Sequence, residues 1–169
     1  MKEFRSIRLN DEPAASRRGG GEVLYTETFH IVGDDFEHGG EAAAAIKAIL
    51  KQLGFPTEAI RRLSIANFEA EMNIIMYADE ADMVLEVLPE AVRVTVADRG
   101  QGIPDIEWAM KEGNSTATPE MRARGFGAGL GLPNIKRNSD EFTIASTVNV
   151  GTTLSYTVRA NGSTGGGAR

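Results

Sequence analysis

Residues 58–78 limit the folds open to this chain more than any other stretch. They read EAIRRLSIANFEAEMNIIMYA, at a helical period, and they are apolar on more than one side. Ile60, Leu63, Ala70 and Ile74 form one stripe, and Ile65, Phe68, Met72 and Ile75 form another. A helix with two apolar stripes is largely covered by protein, so it belongs in the middle of a layer and not on the rim of one. Polar residues between the stripes, Glu69 and Asn73 among them, then need a reason to be there.

The flanking segments supply the cover. Val23–Val32, with Tyr25, Phe29 and Ile31 separated by polar residues, reads as a half-buried strand, and His30 in it reads as a strand residue. The Ala-, Ile- and Leu-rich run from about Glu37 or Gly40 to Leu53 reads as a helix stopped by Gly54, with Thr57 a candidate N-cap for the helix that follows. Val84–Leu88 and Val92–Ala97 flank Pro89-Glu90 as a hairpin. From Ile106 to Gly127 no periodicity is visible, and loops of this length inside a domain usually serve function. A helix from about Leu130 to Ser139, with Pro133 in its first turn, precedes two strands, EFTIASTV and TTLSYTVRA, joined by a turn at Asn149–Gly151. The order β-α-α-β-β-loop-α-β-β indicates an α+β, two-layer sandwich with helices on one face of a mixed, mostly antiparallel sheet. Residues 22–160 make one domain, and the polar, Gly-ended segments 1–21 and 161–169 are expected to be flexible tails.

Composition removes several classes of function. The chain has no Cys and only His30 and His38, so thiolate nucleophiles, disulfides and Cys- or His-rich metal sites are out. A net charge of −6 argues against broad nucleic-acid binding. No apolar run approaches the roughly 18 residues of a membrane helix, and the N-terminal segment has no signal-peptide core. A cytoplasmic location fits.

Four short constellations carry the chemistry. Glu69 and Asn73, four residues apart, share one helix face, where a carboxylate can activate a hydroxyl or water and an amide oxygen can hold Mg²⁺. In VADRGQGIPD a strand ends at Asp98, an acceptor suited to the adenine amine, followed by Gly100, Gly102 and Ile103. In RGFGAGLGLPNIKR, Gly125, Gly127, Gly129 and Gly131 alternate ahead of a helix, a pattern suited to wrapping phosphate with backbone N–H groups. In VGTTLSYTV, Thr152 and Thr153 offer hydroxyls to a nucleobase. Taken singly, a solvated Glu/Asn face and an ordinary hairpin are the commoner explanations of the first and last.

In this order, E-x-x-x-N, D-x-G-x-G-I, G-x-G-L-G-L and a late G-T-T resemble the N, G1, G2 and G3 boxes of the GHKL ATPase superfamily, over about residues 23–159. Neither a Walker A motif nor a protein-kinase H-R-D motif is present. Among the small stand-alone members, the anti-sigma factors and the switch serine kinases, EAEMNIIMYA and above all GLGLP…KR…DEF (Gly129–Pro133, Lys136-Arg137, Asp140–Phe142) are most similar to the switch kinases. No phospho-acceptor helix of the histidine-kinase sort and no transducer domain is in view. The resemblance implies the Bergerat ATP-binding fold, ATP with Mg²⁺, and an ATP-dependent regulatory serine kinase acting on a STAS-type partner. The alternative is an ATP-controlled module that sequesters a sigma factor with little catalysis. It implies Glu69 as general base, Asn73 as the Mg²⁺ ligand and Asp98 as the adenine acceptor, with Gly100, Gly102 and Ile103 beside the ring. It further implies Gly127, Gly129, Leu130 and Gly131 around the phosphates, Thr152 or Thr153 at the adenine end, and Arg124 on the γ-phosphate. A homodimer is compatible with the anti-sigma side.

There are departures from the pattern. Glu71 and Met72 precede Asn73, where switch kinases tend to carry a small residue and an Arg; Glu71 is expected to face solvent, the alternative being that it competes for Mg²⁺. The lid from Asn114 to Gly127 has no Lys cluster. Ser115, Thr116 and Thr118 read as polar loop residues, Trp108 as a core residue, and Lys136-Arg137 as a solvated helix face.

Overall fold

The structure, a computed structural model, describes residues 21–161. The two expected tails fall outside the described residues except at their inner ends. The elements in chain order are β1 (Tyr25–Val32), a 3-10 turn (Phe36–His38), α1 (Glu41–Gln52), α2 (Thr57–Tyr77), β2 (Ala78–Leu88) and β3 (Ala91–Gly100). They continue with α3 (Ile106–Ala109), α4 (Pro119–Ala123), α5 (Gly131–Arg137), β4 (Glu141–Thr147) and β5 (Gly151–Arg159). The strands form one sheet in the order β1-β2-β3-β5-β4. The sheet expected to be mostly antiparallel is antiparallel in every ladder.

The core lies between the sheet and α2. Alternate strand residues point into it: Phe29 and Ile31 from β1, Met83 and Leu85 from β2, Val92 and Val94 from β3, Leu154 and Tyr156 from β5. From α2 come Ile60, Leu63, Ala70 and Ile74, the first stripe, all buried. The second stripe divides. Met72 and Ile75 are buried, Ile65 is half-buried and Phe68 is 43% exposed. Burying a Leu or Ile side chain stabilises by about 1.5–3 kcal/mol, so this helix is the main hydrophobic contributor to the layer.

Three expectations about local structure change. Pro56, not Thr57, is the N-cap of α2, and no side chain caps it. The hairpin is longer than Val84–Ala97, because β2 begins at Ala78 directly after α2 and β3 runs to Gly100. The long loop contains two short helices, α3 and α4, with Asp105 and Thr118 accepting from the first-turn N–H groups of Trp108 and Met121. Gly54 ends α1 as expected. The Phe55 N–H donates to Leu50 O at 3.0 Å and the Gly54 N–H to Lys51 O at 3.1 Å, the paired bonds of a Schellman stop.

Glu71 is the largest departure from expectation. It is 2% exposed, not solvated. Its Oε1 accepts from the N–H groups of Gly40 and Ala42 at 3.0 and 3.1 Å, and its Oε2 from Ala43 at 2.8 Å. The first N–H groups of a helix have no partner inside the helix. Here a carboxylate from α2 supplies it, at the positive end of the α1 dipole. Beside it, the buried Tyr156 hydroxyl donates to Asn67 Oδ1 at 2.7 Å. Burial, with the Glu71 charge second, raises the Tyr156 hydroxyl far above its ordinary range.

Candidate functional site

A cleft of about 800 Å³ opens between α2, the end of β3 and the segment from α3 to α5. Its lining includes Glu69, Asn73, Asp98, Gly131 and Thr152, which are far apart in sequence and meet only in the fold. Gly102, Ile103, Gly127, Gly129 and Leu130 join them. Val96, Ile144 and Leu154 give part of the lining an apolar character suited to a flat ring.

At one part of the cleft α2 presents Glu69 and Asn73, one turn apart and both half-buried. Gly131, the first residue of α5, lies against the pair. A Cβ on it would come within 3.2 Å of Asn73 Oδ1 and 3.5 Å of Glu69 Oε2. Asn134, one turn further along α5, donates from Nδ2 to Glu69 Oε1 at 2.8 Å. Asn134 was not singled out by the motifs. It lies inside the G-x-G-L-P-N segment, yet spacing alone does not say that α5 crosses α2 at this level.

At another part Asp98 Oδ1 accepts from the Thr152 N–H at 3.0 Å, joining β3 to the start of β5. Burial pushes the Asp98 carboxyl above its usual range, and the Thr152 N–H only partly offsets this. Ser146, also unpredicted, is the hub here. Its Oγ accepts from the Ile103 N–H at 2.8 Å and lies 2.8 Å from Thr152 Oγ1. Gly102 has φ +69, and a Cβ there would meet Thr147 O at 2.4 Å, so the chain can pass the β4–β5 turn only as glycine. At the lid, Gly129 has φ +75 and would meet Gly113 C at 2.5 Å. Its carbonyl accepts from the Gly113 N–H at 3.0 Å, which pins the two ends of the lid together.

Three of the expected site residues do not line the cleft. Thr153 is exposed, because strand alternation turns it to the face opposite Thr152. Gly100 makes room for backbone instead of a ring: a Cβ would lie 2.9 Å from Ala78 Cα. The Arg124 guanidinium stacks on the Phe36 ring, 4.5 Å from its centroid, a cation–π contact at the lid's outer edge. Phe126 packs on the same Phe36, ring centroids 6.0 Å apart. Trp108, expected in the core, is 40% exposed and forms part of the cleft wall. Lys136 and Arg137 are exposed, as expected of a solvated face, and Arg137 pairs there with Glu112.

The donor set suits a nucleotide with a hard cation. Among the described residues no three His, Cys, Asp or Glu side chains gather as a metal site. Asn73 offers a single neutral oxygen, which fits Mg²⁺ that draws its other ligands from phosphates and water. Among the described residues no helix is long and apolar enough to cross a membrane.

Comparison with known proteins agrees with this geometry. The family described as histidine kinase-like ATPase domain matches residues 34–158. The chain is 34% identical over 110 residues to serine/threonine-protein kinase RsbT of Bacillus subtilis, covering 63% of this chain and 77% of the relative. It is 31% identical over 119 residues to the anti-sigma F factor of Geobacillus stearothermophilus, covering 67% and 78%. The anti-sigma F factor of Geobacillus kaustophilus is 30% identical over 119 residues, with the same coverage.

Proposed function

The chain belongs to the histidine kinase-like ATPase domain family, in its group of serine kinases and anti-sigma factors, and we propose that it transfers the γ-phosphoryl group of ATP to a seryl or threonyl hydroxyl of a partner protein. The observation that carries this reading is the meeting of Glu69, Asn73 and Gly131 in one cleft with Asp98 and Thr152. In it, Asp98 accepts from the adenine amine while its other oxygen is held by the Thr152 N–H. The Gly127–Gly131 backbone follows the phosphates. Asn73 would hold Mg²⁺, which would neutralise phosphate charge. Glu69 orients the partner's hydroxyl and takes its proton as the hydroxyl oxygen bonds to the γ-phosphorus. The bond from that phosphorus to the β–γ bridging oxygen breaks, and ADP leaves. The partner is a small STAS-type domain, and a cytoplasmic setting goes with this role.

A second reading has the chain bind a sigma factor under nucleotide control, with little turnover. Two of the relatives are named anti-sigma F factors, and Arg124 rests on Phe36, outside the cleft lining. Calorimetry with ATP, with and without Mg²⁺, on the wild type and Asn73→Ala tests the site. Binding that needs Mg²⁺ and weakens at least 10-fold in Asn73→Ala is expected; unchanged binding would remove Asn73 as the ligand. Labelled-phosphate transfer to a STAS domain, lost in Glu69→Ala, is the expected sign of the kinase. Nucleotide-dependent capture of a sigma factor that survives Glu69→Ala would favour the second reading.

A further inference from the structure

A carboxylate that takes a proton must present the correct oxygen to the reacting hydroxyl. Glu69 has one oxygen engaged. Asn134 Nδ2 donates to Oε1 at 2.8 Å, while Oε2 is the oxygen a Cβ on Gly131 would approach, at 3.5 Å. The Glu69 carboxylate only accepts, so it takes the nitrogen end of the amide and leaves the oxygen end to be held by a donor. Arg137, one turn along α5, donates from Nη1 to Asn134 Oδ1 at 3.2 Å. A guanidinium has only donors, so it takes the amide oxygen and leaves the amide nitrogen for Glu69. Arg137 also pairs through Nη2 with Glu112, next to Gly113, the residue that bonds Gly129 at the base of the lid.

We propose that Asn134 is a positioning residue for Glu69, that Arg137 holds Asn134 in place through its amide oxygen, and that Glu112 ties this chain of contacts to the lid. The effect is to fix the Glu69 carboxylate with Oε2 toward the cleft. The proposal rests on Glu69 acting as the base. The Arg137–Glu112 pair is more than half exposed on both sides, so its share is the smaller one.

The test is steady-state ATP hydrolysis with Mg²⁺ by the full chain, with nucleotide affinity measured by calorimetry on the same proteins. Asn134→Ala is expected to lower kcat about 10-fold while ATP affinity stays within about twofold, as for groups that orient a reacting ligand from behind. Asn134→Asp, almost the same size, is expected to be worse than Asn134→Ala because a second carboxylate opposes the first. A space-filling role gives the opposite order, and that order overturns the proposal. Arg137→Ala should lower kcat about threefold and add nothing on top of Asn134→Ala, the non-additivity of residues acting through one path. Glu69→Gln separates the two levels. Hydrolysis that survives Glu69→Gln removes the base assignment and this proposal together. Loss in Glu69→Gln with normal kcat in Asn134→Ala overturns the positioning role alone. A second readout does not depend on turnover: the side-chain ¹H–¹⁵N signals of Asn134 in the nucleotide-free protein should move in both Glu69→Gln and Arg137→Ala. Signals unmoved in both overturn the contact itself.

Discussion

At the scale of single residues, Glu71 and Glu69 show how two carboxylates on one helix are given different tasks. Two residues along a helix is a turn of about 200°, so Glu71 faces away from the cleft that Glu69 faces. Glu69 meets an amide and an open cleft; Glu71 meets three backbone N–H groups and is buried. Replacing Glu71 by Ala leaves those donors without an acceptor, each worth about 1–3 kcal/mol if nothing else relaxes. Because the start of α1 can yield to water, a total near 3 kcal/mol is expected for Glu71→Ala, and roughly half that for Glu71→Gln, which keeps one acceptor oxygen. Urea unfolding measures both; a Glu71→Ala change under about 0.5 kcal/mol would mean the cap contributes nothing. The turn angle was available in the sequence. The donors were not, since they lie about 30 residues earlier and reach Glu71 only once α1 packs on α2.

Among the elements, Arg62 and Asp140 join α2 to the far edge of the sheet. Arg62 meets both carboxylate oxygens of Asp140, at 2.9 and 3.2 Å, and the Arg159 N–H adds a third bond at 2.7 Å. Burial by itself would raise the Asp140 carboxyl, but the Arg62 bonds and then the Arg159 N–H outweigh it and hold the group below its usual range. A carboxyl depressed in the fold contributes stability that is complete above its unfolded value, near pH 4, and is lost as pH falls through the lower folded value. Arg62→Ala is therefore expected to cost about 2 kcal/mol at pH 7 and to flatten the acid side of the stability curve. Denaturant midpoints measured from pH 7 down to pH 2 check this; an acid limb as steep as in the wild type would count against the pair. Asp140 belongs to the D-E-F run that marks the family resemblance, and the structure gives that residue a structural reason to be there.

For the molecule as a whole, the layer order and the cleft followed from the two-stripe helix and the order of the four boxes. Glu69, Asn73, Asp98, Gly102 and the alternating glycines come together because the motifs stand at fixed distances from element ends. What the motifs could not carry is which neighbour crosses them. The choice between Thr152 and Thr153 stayed open because a two-residue motif does not say which member faces the helices. Asn134 and Ser146 were missed because their importance depends on a crossing helix and a neighbouring strand. Arg124 was expected at the phosphate, and nothing in the spacing pointed to Phe36. One feature of the architecture bears on how such a protein can vary in length. No residue separates Tyr77 at the end of α2 from Ala78 at the start of β2. The helix that carries Glu69 and Asn73 is keyed directly to the middle of the sheet, so an extra residue there would swing them round by about 100° or reverse every facing in β2. An indel at this joint should therefore cost the site. A Gly inserted between Tyr77 and Ala78 is expected to abolish Mg²⁺-dependent nucleotide binding in calorimetry, and retained binding would show that the joint has slack.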